Sequence, residues 1–174
     1  MENPARVRGF TLIEMLVVLV LMLVLVALGI PALQDSLHQS KIRGIAQETT
    51  VLMRLARIEA IKRSASGVVH MVPSTGAGDP DHVQAFLDLD ADGLLGANDT
   101  TIGTLEMPSG VTFSATGFNP DPNGGPNMVI FLRDGSVSAT GAFNFKDTYD
   151  NCLDINVAPQ ATARIKTHRF TCPS

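Results

Sequence analysis

The chain has 174 residues, 45% of them apolar, with one Tyr, no Trp and a formal net charge of −4. That length suits one globular domain plus a long helix. No Gly-x-Ser-x-Gly elbow, phosphate loop or His-Glu-x-x-His occurs, no repeat is visible, and His38, His70, His82 and His168 are scattered, so the sequence nominates no enzyme.

The first segment is a short basic leader, residues 1–9, ending in Gly9 and carrying Arg6 and Arg8. From Phe10 to Leu33 the only charged residue is Glu14. That run makes roughly 30 Å of helix, enough for a bilayer core, and the leader's arginines place its N-terminus on the cytoplasmic side. A carboxylate inside such a slab costs on the order of 2.5–3.5 kcal/mol unless it lies at the interface or meets a cation. A secretory signal would need a small-residue cleavage site after the run, and Ala27-Leu28-Gly29-Ile30-Pro31 is a poor one. A plain anchor leaves Glu14 and the sharp Gly9-Phe10 junction unexplained.

Gly9-Phe10-Thr11-Leu12-Ile13-Glu14 resembles the processing motif of type IV prepilins and type II secretion pseudopilins. The resemblance implies that a prepilin peptidase cuts after Gly9 and methylates Phe10. It implies that Glu14 pairs with the N-terminal amine of a neighbouring subunit, which would supply the missing cation. The chain would sit in the inner membrane as a single pass, with its head outside the cytoplasm, and then enter a filament. Residues 10–33 would be membrane span and filament core in turn.

Residues 34–63 continue the helix as an amphipathic outer half. Leu33, Leu37, Ile42, Ile45, Val51, Leu52, Leu55, Ala56 and Ile58 fall on one broad apolar side, with Arg43, Arg54 and Arg57 opposite. Gly29 and Pro31 predict a bend. Ser64-Ala65-Ser66-Gly67 predicts the stop, with Lys62 and Arg63 favourable at the helix's negative end. Residues 35–63 carry a net +3, residues 64–163 a net −10 and residues 164–174 a net +3. The head is therefore acidic between a basic helix and a basic tail.

Residues 64–174 read as short strands separated by Gly, Pro and Asn turns: 68–72, 82–88, 101–107, 111–115, 127–133, 136–140, 152–157 and 162–171. Asp134-Gly135 is a two-residue hairpin signal. The pattern implies an α+β fold, a long N-terminal helix packed on an antiparallel β-sheet head. Leu55-Ala56-Arg57-Ile58-Glu59-Ala60-Ile61-Lys62-Arg63 and Phe131-Leu132-Arg133-Asp134-Gly135-Ser136 resemble the GspH/FimT branch of minor pilins and pseudopilins. The function this implies is a minor subunit of a type IV pilus or a type II secretion pseudopilus, with other pilin-family subunits and the peptidase as partners. The machine served, secretion, twitching or DNA uptake, is not readable from the chain.

Three features of the head carry their own chemistry. Asp88-Leu89-Asp90-Ala91-Asp92-Gly93, followed by Leu94 and Asp99, has the order of a calcium loop: carboxylates at positions one, three and five, glycine at six, a backbone carbonyl at seven and a carboxylate at twelve. It differs from an EF-hand in ending on Asp99 instead of glutamate and in lacking flanking helices. Its alternative reading is a polar turn. Asn119-Pro120-Asp121-Pro122-Asn123-Gly124 has similar spacing but two prolines, and reads as a rigid loop. Cys152 and Cys172, outside the cytoplasm, are candidates to pair as a C-terminal disulfide does in many pilins, closing a loop worth roughly 3 kcal/mol; reduced thiols are the alternative. Ala163-Arg164-Ile165-Lys166 stands where DNA-uptake members of the branch carry Gly-Arg-x-Arg. With Arg169 it defines an alternative function, a DNA-binding minor pilin, against the plainer reading of a solvated last strand.

Overall fold

The computed structural model describes residues 10–74, 76, 80–122, 124–158 and 164–171, with residues 29, 31, 32, 34, 35 and 164–171 described by backbone alone. Gly9 and the rest of the leader, and Cys172, lie outside the described residues. The chain divides into two compact units, one up to Leu37 and one from His38 onward.

One helix, α1 (Leu12–Arg63), supplies all of the first unit's described secondary structure and the start of the second. Thr11 caps it: the Glu14 amide donates to Thr11 Oγ1 at 3.3 Å, and the Met15 amide to the Thr11 carbonyl at 3.2 Å. Thr11-x-x-Glu14 is thus the start of a capping box. The large apolar side chains from Leu12 to Leu28 are all exposed. Among the described residues no helix is long and apolar enough to cross a membrane. The helix continues through Gly29, Ile30 and Pro31.

The helix ends where the Ser-Ala-Ser-Gly stretch predicts. Ser64 takes a left-handed φ of 52°, and the Ala65 amide donates to the Ala60 carbonyl at 3.1 Å. This is a Schellman stop with serine where glycine is commoner.

In the second unit the helix packs through a narrow stripe: Ile42, Ile45, Ala46, Thr49, Met53, Ala56 and Ala60 are buried. The broad apolar side expected from sequence is corrected here. Leu33, Leu37, Val51, Leu55 and Ile58 are exposed, and Leu52 is half-buried. At about 100° per residue, Val51, Leu55 and Ile58 point roughly opposite Met53. The sheets cover one side of the helix and cannot reach them. Arg57, expected on the outer face, is half-buried, its Nε lying near the Gly135 backbone.

The helix gives way to eight strands: β1 (Ser66–Val72), β2 (His82–Asp88), β3 (Thr100–Glu106), β4 (Val111–Thr116), β5 (Val129–Phe131), β6 (Gly141–Asp147), β7 (Asn151–Ala158) and β8 (Arg164–Thr171). They form two four-stranded sheets, ordered β3-β2-β1-β5 and β4-β6-β7-β8, and every pairing is antiparallel. The α+β architecture is as the sequence implies, with two differences. The strand expected over 136–140 is only a bridge between Phe131 and Val137. The turn does close at Asp134-Gly135: the Leu132 amide donates to the Ser136 carbonyl, and Asp134 Oδ1 accepts from the Ser136 amide and hydroxyl. The full-length strand comes later, at 141–147, where Phe143 and Phe145 alternate with Asn144 and Lys146.

The main core joins the helix stripe to Val69, Met71, Val83, Ala85 and Leu87 of one sheet and Phe143, Phe145, Leu153, Ile155 and Val157 of the other. Gly67 allows a close helix–sheet approach: a Cβ there would stand 2.5 Å from the Ala56 carbonyl oxygen. A second, smaller cluster of Val68, Phe86 and Met128 lies apart from the main core. It explains why neighbours along β1 and β2 (Val68 and Val69, Phe86 and Leu87) are buried together instead of alternating. The segment leading into β5 covers the outer face as well.

Candidate functional site

The N-terminal motif is built on the helix start. Phe10 is exposed, and the Thr11 cap fixes Glu14 in the first turn. A carboxylate there faces the helix's positive end, a favourable placement independent of any partner. The capping role escaped the sequence reading, although Thr-x-x-Glu before an apolar run is its signature.

The acidic loop connects β2 to β3, so strands flank it on both sides. Asp88 is the last residue of β2 and is buried, while Asp90 and Asp92 are exposed and Asp99 is half-exposed. One carboxylate oxygen from each of the four lies within 4.8 Å of the others. Backbone amides hold the loop in shape. Asp88 accepts from Ala91 (2.7 Å, Oδ1) and from Gly93 (3.0 Å, Oδ2), and Asp92 Oδ1 accepts from Leu94 at 2.7 Å. Asp99 accepts from Leu89 (2.8 Å, Oδ1) and Gly96 (2.6 Å, Oδ2), closing the loop end to end. Gly93 has φ 77°, and its pro-Cβ direction points at the Met128 methyl, so the turn needs glycine. Burial raises the Asp88 carboxyl above its ordinary value; the Gly93 and Ala91 amides oppose this, and the Asp99 and Asp92 charges add to it. A cation is the group that would relieve both the burial cost and the mutual repulsion. The structure thus brings together Asp88, Asp90, Asp92 and Asp99, with Leu94 on the same turn.

A second carboxylate was not singled out by sequence. Asp147 ends β6, is buried, and organises the β6–β7 turn. Its Oδ1 accepts from the amides of Tyr149 and Asn151, each at 2.8 Å, and its Oδ2 from Asn151 Nδ2 at 2.9 Å. Burial pushes its carboxyl up, but the Asn151 and Tyr149 bonds and the charge of His38 outweigh it, leaving the group below its ordinary value. Its signal was Asp followed four residues later by Asn.

Cys152, in β7, is buried, and no cysteine among the described residues is free. Its expected partner, Cys172, lies outside them. β8 places Arg164 opposite Ala158, Lys166 opposite Asn156 and Arg169 opposite Leu153.

A capped N-terminal helix with an exposed apolar segment, followed by a segment packed on antiparallel sheets, is a pilin-like architecture. Residues 4–30 match the prokaryotic N-terminal methylation motif, and residues 46–163 match the family of the type II transport protein GspH. The chain belongs to the GspH family, and is a minor pilin or pseudopilin of the GspH branch. Such chains are membrane-anchored first, then assembled with other pilins into a filament. Among solved structures, the type IV minor pilin FimU of Pseudomonas aeruginosa shares the fold, with a TM-score of 0.53 and 12% identity over 75% of this chain and 90% of that one. No curated protein matches. None of these likenesses supports the DNA-binding alternative for Arg164, Lys166 and Arg169.

Proposed function

We propose that the chain is cut after Gly9 by a prepilin peptidase, methylated on Phe10, and assembled into its filament through α1. Before assembly it is a single pass of the inner membrane with its N-terminus in the cytoplasm and its head outside. Residues 10–33, with Glu14 as their one charge, supply the span. In the filament Glu14 pairs with the Phe10 amine of a neighbouring subunit. The head has no catalytic role. The observation that carries this reading is the joining, by one uninterrupted helix, of a methylation motif at residues 4–30 to a GspH match at 46–163.

Mass spectrometry of the mature chain tests the processing step: the first residue should be N-methylated Phe10. An unmodified N-terminus, or one elsewhere, refutes it. Glu14→Ala should leave a cleaved, membrane-held chain that fails to enter filaments, and normal incorporation would contradict the pairing.

Two properties of the head complete the reading. The loop from Asp88 to Asp99 holds calcium through Asp88, Asp90, Asp92, Asp99 and the Leu94 carbonyl, supported by the convergence of four carboxylates around a buried one. Cys152 pairs with Cys172, tying β8 to β7 beyond their hydrogen bonds.

A further inference from the structure

The chain has one tyrosine and no tryptophan, and the tyrosine is turned to solvent. Tyr149 is 59% exposed in the turn between β6 and β7. The turn fixes it there. Its amide donates to Asp147 Oδ1 at 2.8 Å, and its ring packs on the His38 imidazole with centroids 3.9 Å apart. Leu37, beside His38 in the chain, is 62% exposed. An amphipathic ring is thus held outward at the point where the second unit begins.

The chain's own connectivity limits what that ring can meet. His38 is five residues beyond Leu33, the last residue of the proposed span. Both belong to the single helix α1, so the step between them rises about 7.5 Å. The polar layer outside a bilayer's hydrocarbon core is about 5–7 Å deep on each side. His38, and the ring stacked on it, therefore stand at headgroup depth. Tyrosine suits that layer because its ring leaves water while its hydroxyl keeps polar partners.

The charges around the ring nearly balance. Lys41 and Arg43 are exposed on the next turn of α1, and Lys41 Nζ also donates to the Ser109 carbonyl at 2.8 Å. Asp147 faces His38 but is buried and engaged by Tyr149 and Asn151, and Asp150 is paired with Lys146 at 2.8 Å. Asp35 precedes His38 by one turn in sequence. The amphipathic ring, more than net charge, is what fits this surface to lipid.

We infer that Tyr149 is an interfacial anchor. While the chain resides in the membrane, the ring sits in the phospholipid headgroup layer beside its own span, with Lys41 and Arg43 as donors to phosphate oxygens. The contact is given up when the subunit leaves for the filament. This inference rests on the reading of residues 10–33 as the span, and it names the surface of the second unit that meets lipid.

The test uses the full-length chain in vesicles of phosphatidylcholine and phosphatidylglycerol. With one tyrosine and no tryptophan, tyrosine emission reports the Tyr149 ring alone. A nitroxide on the lipid headgroup should remove most of that emission. Two variants in a Tyr149→Phe background supply the references. Leu21→Tyr places the reporter in the apolar run, where a nitroxide on the acyl chain should quench it. Leu132→Tyr places it in the hairpin whose Gly135 lies against Ile61, near the far end of α1, where the headgroup label should leave it bright. Quenching at Leu21→Tyr with Tyr149 spared overturns the inference and leaves the span standing. Equal quenching of Tyr149 and Leu132→Tyr by the headgroup label also overturns it, because the whole head then lies on lipid without a particular anchor. No quenching at Leu21→Tyr defeats the span and the inference together.

Discussion

The His38 imidazole packs against the Tyr149 ring, their centroids 3.9 Å apart and their planes inclined by 35°. His38 is the first residue of the second unit, and Tyr149 sits in the β6–β7 turn, whose shape Asp147 dictates. Ring, turn and carboxylate form one assembly, reinforced nearby where Lys41 Nζ donates to the Ser109 carbonyl at 2.8 Å. It ties the second unit's first helical turn to its second sheet.

Asp147→Ala should destabilise the head by about 2–3 kcal/mol, since it leaves the Tyr149 and Asn151 donors without their acceptor. The pH dependence has a definite sign. The folded-state carboxyl lies below its ordinary value, so its contribution is complete above about pH 4, where the unfolded carboxyl is also ionised. It is lost as pH falls through the lower folded value. Denaturant melts of wild type and Asp147→Asn should therefore differ most near neutrality and converge below about pH 4. A gap that widened on acidification would contradict this.

Calcium should raise the melting temperature by about 5–10 °C at a hundredfold excess over its dissociation constant. Asp90→Asn with Asp92→Asn should remove most of that gain while leaving the metal-free melt nearly unchanged, because both side chains are exposed. Equal melting in calcium and in chelator would dispose of the site.

Gly67→Val should cost about 3 kcal/mol or more. Its Cβ would overlap the Ala56 carbonyl and crowd the Ala60 methyl, and neither backbone nor methyl can step aside. A thermal melt within a degree of wild type would mean that helix and sheet separate more easily than their packing implies.

Ser64→Gly should stabilise by up to about 1 kcal/mol, by relieving a left-handed serine at the helix stop. The gain is net of the extra freedom glycine brings to the unfolded chain. Chemical denaturation of the two chains decides the sign.

How much of this was legible depends on how local each signal was. The helix stop was readable because Ser64 to Gly67 are adjacent, and β2 was readable to the residue because its flanking turns are polar. The strand at 136–140 was misplaced because Asp134-Gly135 does make a turn. Beyond that turn the chain pairs by a single bridge, and the full strand waits until Gly141. Alternation of Phe143 and Phe145 was present in the sequence and overlooked. The exposure of Val51, Leu55 and Ile58 was not readable: periodicity marks them apolar, and only the placement of the sheets says which apolar face is covered. The four loop carboxylates were visible from spacing alone, whereas the Asp147 network was hidden because its acceptors serve backbone amides that any residue carries.

Between the helix end at Arg63 and the start of β1 at Ser66 there are only two residues. β1 is an inner strand of its sheet, paired over seven positions with β2 and three with β5. Tension reaching the end of α1 is therefore passed, across two residues, to a strand paired on both edges. A subunit wired this way should withstand axial load at its head, yielding only when many hydrogen bonds fail together.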